Sequence, residues 1–161
     1  MRTLCLLACV LSVLVVCGPV QATPKRAAAK RSHRVWLRRV QLRRTNYVVR
    51  LAWRAVGARY RWGGASPRAG FDCSGLTRWV YGHVGVSLPH YTRAQWRYGR
   101  PVARRRLAPG DLVFFAGFSH VGIYVGRGAM IDAPHPGARV RFERISGWFA
   151  ANYTGARRLA P

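Results

Sequence analysis

Cys73 lies in the run Phe71-Asp72-Cys73-Ser74-Gly75, where a turn-rich stretch gives way to a helical pattern. A thiol attacks carbonyl carbons as the thiolate, so a nucleophilic cysteine needs surroundings that favour the anion. The start of a helix supplies unpaired backbone N–H groups and the positive end of the helix dipole. The same N–H groups can hold the oxyanion that forms when a thiolate adds to an amide. Ser74 and Gly75 are small and leave room for a substrate backbone to approach. The competing reading is a buried, inert cysteine acting as a small hydrophobe. An Asp-Cys-Ser-Gly junction between loop and helix argues against it.

A cysteine nucleophile needs a base. The candidates are His33, His83, His90, His120 and His135. His33 lies in a basic stretch, His83 ends the Cys73 helix and points away from its start, and His90 follows Pro89 in a loop. His120 heads the alternating strand Val121-Gly122-Ile123-Tyr124-Val125, a rigid mount for a base; a histidine merely capping a surface strand is the alternative. Asp132, on the next strand, can orient the imidazole and stabilise the imidazolium. Register leaves the pairing open. A two-residue turn at Arg127-Gly128 sets His135 opposite His120, whereas Pro134 and Pro136 should end the strand before His135.

These residues need elements to position them. Thr45 is read as an N-cap, with Val48, Leu51, Ala52, Ala55 and Val56 at helical spacing and Gly57 as a stop. Residues 65–70 are turn-rich. A second helix is predicted from about Ser74 to His83, and a short one near Thr92 to Tyr98. Beyond Pro109-Gly110 the period shifts to strands: Leu112 to Phe115, apolar throughout; His120 to Val125; a hairpin turn at Gly126-Arg127-Gly128; Ala129 to Ala133; and Arg139 to Phe142. Helices first and strands second predict an α+β fold, with an antiparallel sheet packed on the Cys73 helix.

The first 22 residues read as a secretory signal peptide: Arg2, an apolar run from Leu4 to Val16, and a small-residue cleavage site at Val20-Gln21-Ala22. The run is too short for a membrane span. A lipoprotein signal with Cys17 as the lipidated residue is the alternative, but Val16 fits it poorly. Cys5, Cys9 and Cys17 leave with the signal, so Cys73 is the one thiol that remains, and no internal disulfide can form. Residues 23–44 form a basic tether, with helical character in the second half.

The chain carries 28 Lys and Arg against four acids, a net charge of +24. The acids are Asp72, Asp111, Asp132 and Glu143, and none lies within a helical turn of another, which leaves little for a two-carboxylate mechanism. Half the residues are hydrophobic, which excludes global disorder. The histidines are scattered and meet no Cys or Glu at metal-ligand spacing, and no phosphate-cradling glycine loop appears, so no metal or cofactor is expected. Gly63-Gly64 reads as backbone room beside a cleft. A charge of this size attracts polyanions without regard to sequence and weakens in salt. An exported chain meets little nucleic acid, so none is expected as a partner.

Taken together, the ordered motifs resemble the NlpC-type family of bacterial cell-wall cysteine peptidases, which have a papain-like core. The matching runs are Tyr60-Arg61-Trp62-Gly63-Gly64, Phe71-Asp72-Cys73-Ser74-Gly75-Leu76, Leu88-Pro89 with Gln95, Pro109-Gly110-Asp111-Leu112-Val113-Phe114-Phe115, Ser119-His120-Val121-Gly122-Ile123-Tyr124, Met130-Ile131-Asp132-Ala133-Pro134 and Arg157-Arg158. The resemblance implies Cys73 as nucleophile and His120 as general base. The family's third catalytic position, most often histidine, maps onto Asp132. Tyr60 maps onto a tyrosine beside the oxyanion or the substrate. Asp72 and Ser74 match positions that hold the free amino end of a stem peptide in some members, although Asp72 can equally be a helix N-cap.

The resemblance thus implies a peptidase domain over residues 45–161. It also implies a peptidoglycan stem-peptide substrate, cut between γ-D-glutamate and a diamino acid, and a place in the periplasm or cell envelope. The basic surface would meet anionic envelope polymers there. A related amidase or acyltransferase on another wall or lipid substrate, or a non-catalytic wall-binding protein, would share these residues.

Overall fold

The computed structural model describes residues 24–159. Helix α1 spans Pro24–Ala55 without a break. The sequence from Lys25 to Ala55 contains neither glycine nor a further proline, and it is rich in Arg, Ala, Leu and Gln, all good helix formers. Thr45 therefore sits inside the helix and is not its N-cap, and the expected tether is helical from Pro24 onward. The end falls where predicted: Gly57 adopts φ +90°, which a residue with a side chain resists. Residues 24–34 fall in one unit of the chain and the described residues from Val35 onward in another. Within the second unit Val48, Leu51, Ala52 and Ala55 are buried at helical spacing.

The second unit continues with a short antiparallel pair, β1 (Ala65–Ser66) and β2 (Gly70–Phe71), then α2 (Cys73–Gly82) and α3 (Thr92–Gln95). The remaining elements are β3 (Arg100–Pro101), β4 (Leu112–Phe115), β5 (His120–Gly126), β6 (Ala129–Asp132), β7 (Arg141–Arg144), α4 (Gly147–Ala151) and β8 (Tyr153–Arg158). Strands β3 to β8 make a six-stranded antiparallel sheet in the order β3-β8-β4-β5-β6-β7. This is the expected α+β fold, with α2 packed on β5.

Leu112, Phe114, Val121, Ile123 and Ile131 face α1 and α2 and meet Leu76 and Val80 there. Val113, Phe115, Tyr124, Met130 and Ala156 face the other way and are covered by Leu107, Ile145, Phe149 and Tyr153. Both faces of β4 are thus buried, which is why its sequence shows no alternation. Asp111 anchors the loop before β4, its carboxylate accepting two bonds from the Arg158 guanidinium at 2.7 and 2.8 Å.

Further elements depart from the sequence reading. Strand β8 lies between β3 and β4, yet Tyr153 to Arg158 carries only one buried apolar side chain, Ala156, and so showed no strand period. Strand β7 begins at Arg141 rather than Arg139, because Arg139 and Val140 instead bond the loop after α1 at Arg59 and Ala58. The short helix ends at Gln95, well before Tyr98.

The β5–β6 hairpin settles the register. Gly126 pairs with Ala129 across the two-residue turn, but a bulge between Tyr124 and Gly126 then shifts the ladder to Tyr124–Met130 and Ile123–Ile131. Continued, the shifted ladder sets Asp132 opposite Gly122. Without the bulge, Asp132 would oppose Ile123 and face the α1–α2 core. The extra residue turns it to the face that carries His120.

Candidate active site

Helix α2 starts at Cys73, and Asp72 is its N-cap: extended backbone at φ −93°, ψ 177°, with Oδ1 accepting from the Gly75 N–H at 2.7 Å. The cap does more than close the helix. Ser74 Oγ donates to Oδ1 at 3.0 Å and the Gly63 N–H donates to Oδ2 at 2.8 Å. His90 Nε2 lies 2.9 Å from both oxygens. Asp72 is 7% exposed, and its carboxylate is engaged by donors of the protein itself. Ser74 is buried and turned toward the same carboxylate.

Gly75 and Gly64 have a reason other than room for substrate. A Cβ on Gly75 would lie 1.9 Å from the Gly64 carbonyl oxygen and 2.8 Å from His90 Nε2. A Cβ on Gly64 would lie 2.5 Å from the Gly70 carbonyl oxygen. The two glycines let the β1–β2 region close onto the start of α2. Gly63, in contrast, lines the cleft, as expected.

Cys73 is half-buried at the floor of a cleft of about 400 Å³, walled by Trp62, Gly63, His90, Tyr91, Thr92 and Phe118. Its sulfur is 3.7 Å from Thr92 Oγ1. Tyr60 stands near it; burial, then the negative charges of Cys73 and Asp72, push the phenol above its ordinary range and keep it a hydrogen-bond donor.

His120 begins β5, is 9% exposed, and has its Nε2 2.8 Å from Oδ2 of the fully buried Asp132. The ring also interacts with Cys73. Burial alone would depress the imidazole, but the bond to Asp132, then the bond and charge of Cys73, outweigh it and raise the pKa to about 9. Phe115 and Phe149 flank the ring, with centroids 6.1 and 5.9 Å away. Gly122, between His120 and Tyr124 on the strand, leaves the space in which Asp132 reaches the ring: a Cβ there would come within 3.4 Å of Asp132 Cβ and 2.7 Å of Met130 Sδ.

The fold therefore brings Cys73, His120, Asp132, Tyr60, Asp72 and Ser74 to one locality. The sequence reading set His90 aside as a loop residue and missed Thr92; both enter on the segment between Leu88 and Gln95. The signal was the run Pro89-His90-Tyr91-Thr92 before a buried Gln95, which reads as an unremarkable loop without the fold. His33, His83 and His135 do not line the cleft.

A thiol at a helix start, an imidazole at a strand end and a carboxylate behind it, on this antiparallel sheet, define a papain-like core. Residues 57–158 match the model of the NlpC/P60 family, and the chain belongs to that family. It is 43% identical over 106 residues to a probable endopeptidase p60 of Listeria monocytogenes, covering 63% of this chain and 21% of that one. It is 40% identical over 113 residues to the murein DD-endopeptidase MepH of Escherichia coli, covering 65% and 42%. The solved structure of the peptidoglycan hydrolase RipB of Mycobacterium tuberculosis superposes with a TM-score of 0.68 at 31% identity, covering 75% of this chain and 67% of that one. The chain thus spans less than half the length of these two curated relatives.

Proposed function

We propose that the protein is an exported thiol hydrolase that cuts peptidoglycan stem peptides at the bond between γ-D-glutamate and a diamino acid. The observation that carries the reading is the buried Asp132–His120 contact at 2.8 Å, on a ring that also interacts with Cys73 at the start of α2. The relatives that bear peptidase and peptidoglycan hydrolase names support the substrate class.

In this reading His120 Nδ1 takes the Cys73 proton and the thiolate adds to the scissile carbonyl carbon. The first N–H groups of α2, which have no partner inside the helix, and the Tyr60 hydroxyl receive the oxyanion. The C–N bond breaks, His120 returns its proton to the leaving amine, and an acyl thioester remains on Cys73. Water then attacks, gives a proton to His120, and releases the acid and the thiol. Asp132 holds Nε2–H and stabilises the imidazolium while remaining ionised.

The same reading assigns residues 1–22, which lie outside the described residues, as the export signal, 23–44 as a basic segment and 45–161 as the peptidase domain. The excess of arginine then holds the enzyme to anionic polymers of the envelope. Among the described residues no helix is long and apolar enough to cross a membrane. Mass spectrometry of the fragments released from a defined sacculus tests the chemistry. Stem peptides cut after γ-D-glutamate are expected. Release of whole stems from muramic acid would instead make the protein an amidase.

A further inference from the structure

The segment from Leu88 to Gln95 is bolted to the start of α2. Gln95 is fully buried, and its Nε2 donates to the Ser74 carbonyl at 2.9 Å and to the Pro89 carbonyl at 2.8 Å. Its Oε1 accepts from Thr77 Oγ1 at 2.7 Å. One side chain thus ties the segment to the first two turns of the helix that carries the sulfur. The segment in turn delivers two groups to that helix start: His90 to the cap carboxylate, and Thr92 to Cys73 itself.

Thr92 is 6% exposed, and a buried hydroxyl without a partner costs stability. Its Oγ1 is 3.7 Å from Cys73 Sγ, the one hydrogen-bond partner it has among the described residues. A thiolate has no proton to give, so in the ionised state the bond can run only from threonine to sulfur. A donor to the charged form favours that form. We infer that Thr92 is a further catalytic residue, whose hydroxyl donates to the Cys73 thiolate and holds the sulfur as an anion aimed into the cleft. The inference rests on the proposed role of Cys73 as nucleophile.

Other ionisable groups face the same sulfur: His120 of β5 with Asp132 of β6 behind it, Tyr60 and Asp72 ahead of α2, and His90 and Arg93 across the cleft. The test must therefore separate Thr92 from His120. Iodoacetamide alkylation of the full-length protein is followed against pH on the tryptic peptide Ala69–Arg78, which contains Cys73 and no other cysteine. Thr92→Val removes the hydroxyl at nearly constant volume, Thr92→Ala removes it without bulk in case the first does not fold, and Thr92→Ser restores it. The midpoint is expected to rise by about one pH unit in the Val and Ala variants and to stay within a few tenths of wild type in Ser. Profiles of Val and Ala that superimpose on wild type, or a Ser midpoint displaced as far as Val, would overturn the role of Thr92. A His120→Ala profile that superimposes on wild type, with the Val and Ala variants of Thr92 still displaced, would instead remove the pairing with His120 and leave Thr92 standing.

Discussion

Asp132→Asn keeps the shape of the side chain and removes its charge, so it isolates what the carboxylate does for His120. The imidazole rises from 6.5 to about 9 although burial works against it. That rise corresponds to roughly 3 kcal/mol in favour of the folded imidazolium. The folded pKa lies above the unfolded one, so this stabilisation is complete below pH 6.5 and is lost as pH climbs through 9. In Asp132→Asn only Cys73 still opposes burial, and His120 should titrate well below 9. A full return to 6.5 would cut the imidazolium population at pH 7.5 about tenfold. The melting temperature should drop by up to roughly 10 °C at pH 6, and by much less at pH 9.5. The imidazole resonances of His120 followed by NMR, alongside thermal melts at the two pH values, read both effects. A variant in which His120 still titrates near 9, or one whose loss of stability is equal at both pH values, would refute the reasoning.

Three further outcomes follow from particular contacts. Gly75→Ala forces a Cβ to within 1.9 Å of the Gly64 carbonyl, a backbone atom that cannot step aside, and should cost about 3 kcal/mol in denaturant unfolding; a loss under about 1 kcal/mol would show that the β1–β2 region is not held there. Gln95→Leu strands the Ser74 and Pro89 carbonyls and the Thr77 hydroxyl, and should cost roughly 3–5 kcal/mol by the same measurement, whereas a neutral result would mean that the Leu88–Gln95 segment is held by other contacts. Removing residues 23–44, with nine of the cations, should weaken sedimentation with purified sacculi at low ionic strength and make no difference at about 1 M salt, where the Debye length is about 3 Å; equal binding at low salt would dismiss the basic segment as a wall anchor.

The chemistry was more legible in the sequence than the architecture. Cys73 and His120 announce themselves because each sits at the boundary of an element whose period is clear. Asp132 was reachable only as one of two candidates, since a single-residue bulge at Tyr124–Gly126 decides which face it takes, and nothing in Tyr124-Val125-Gly126 marks a bulge. The reach of α1 was hidden by its cations, which read as a solvated tether although arginine is a good helix former. Strand β8 was hidden because only Ala156 among its side chains is a buried apolar one, the apolar surface beside it coming from β4. Asp72 carried two readings, cap and substrate holder; the cap bond to Gly75 is present, and His90, from a distant loop, completes the shell around the carboxylate. Contacts between residues far apart in sequence, such as Thr92 with Cys73, leave no local period to find.

The account stands most directly on digestion of intact sacculi by the wild-type protein beside Cys73→Ala and His120→Ala, with soluble peptide fragments counted by mass spectrometry. Wild type should release fragments with a new γ-D-glutamyl carboxyl end and a new diamino-acid amine, and both variants should fall to the background of buffer alone. Fragment release by Cys73→Ala at the wild-type rate would contradict the account outright.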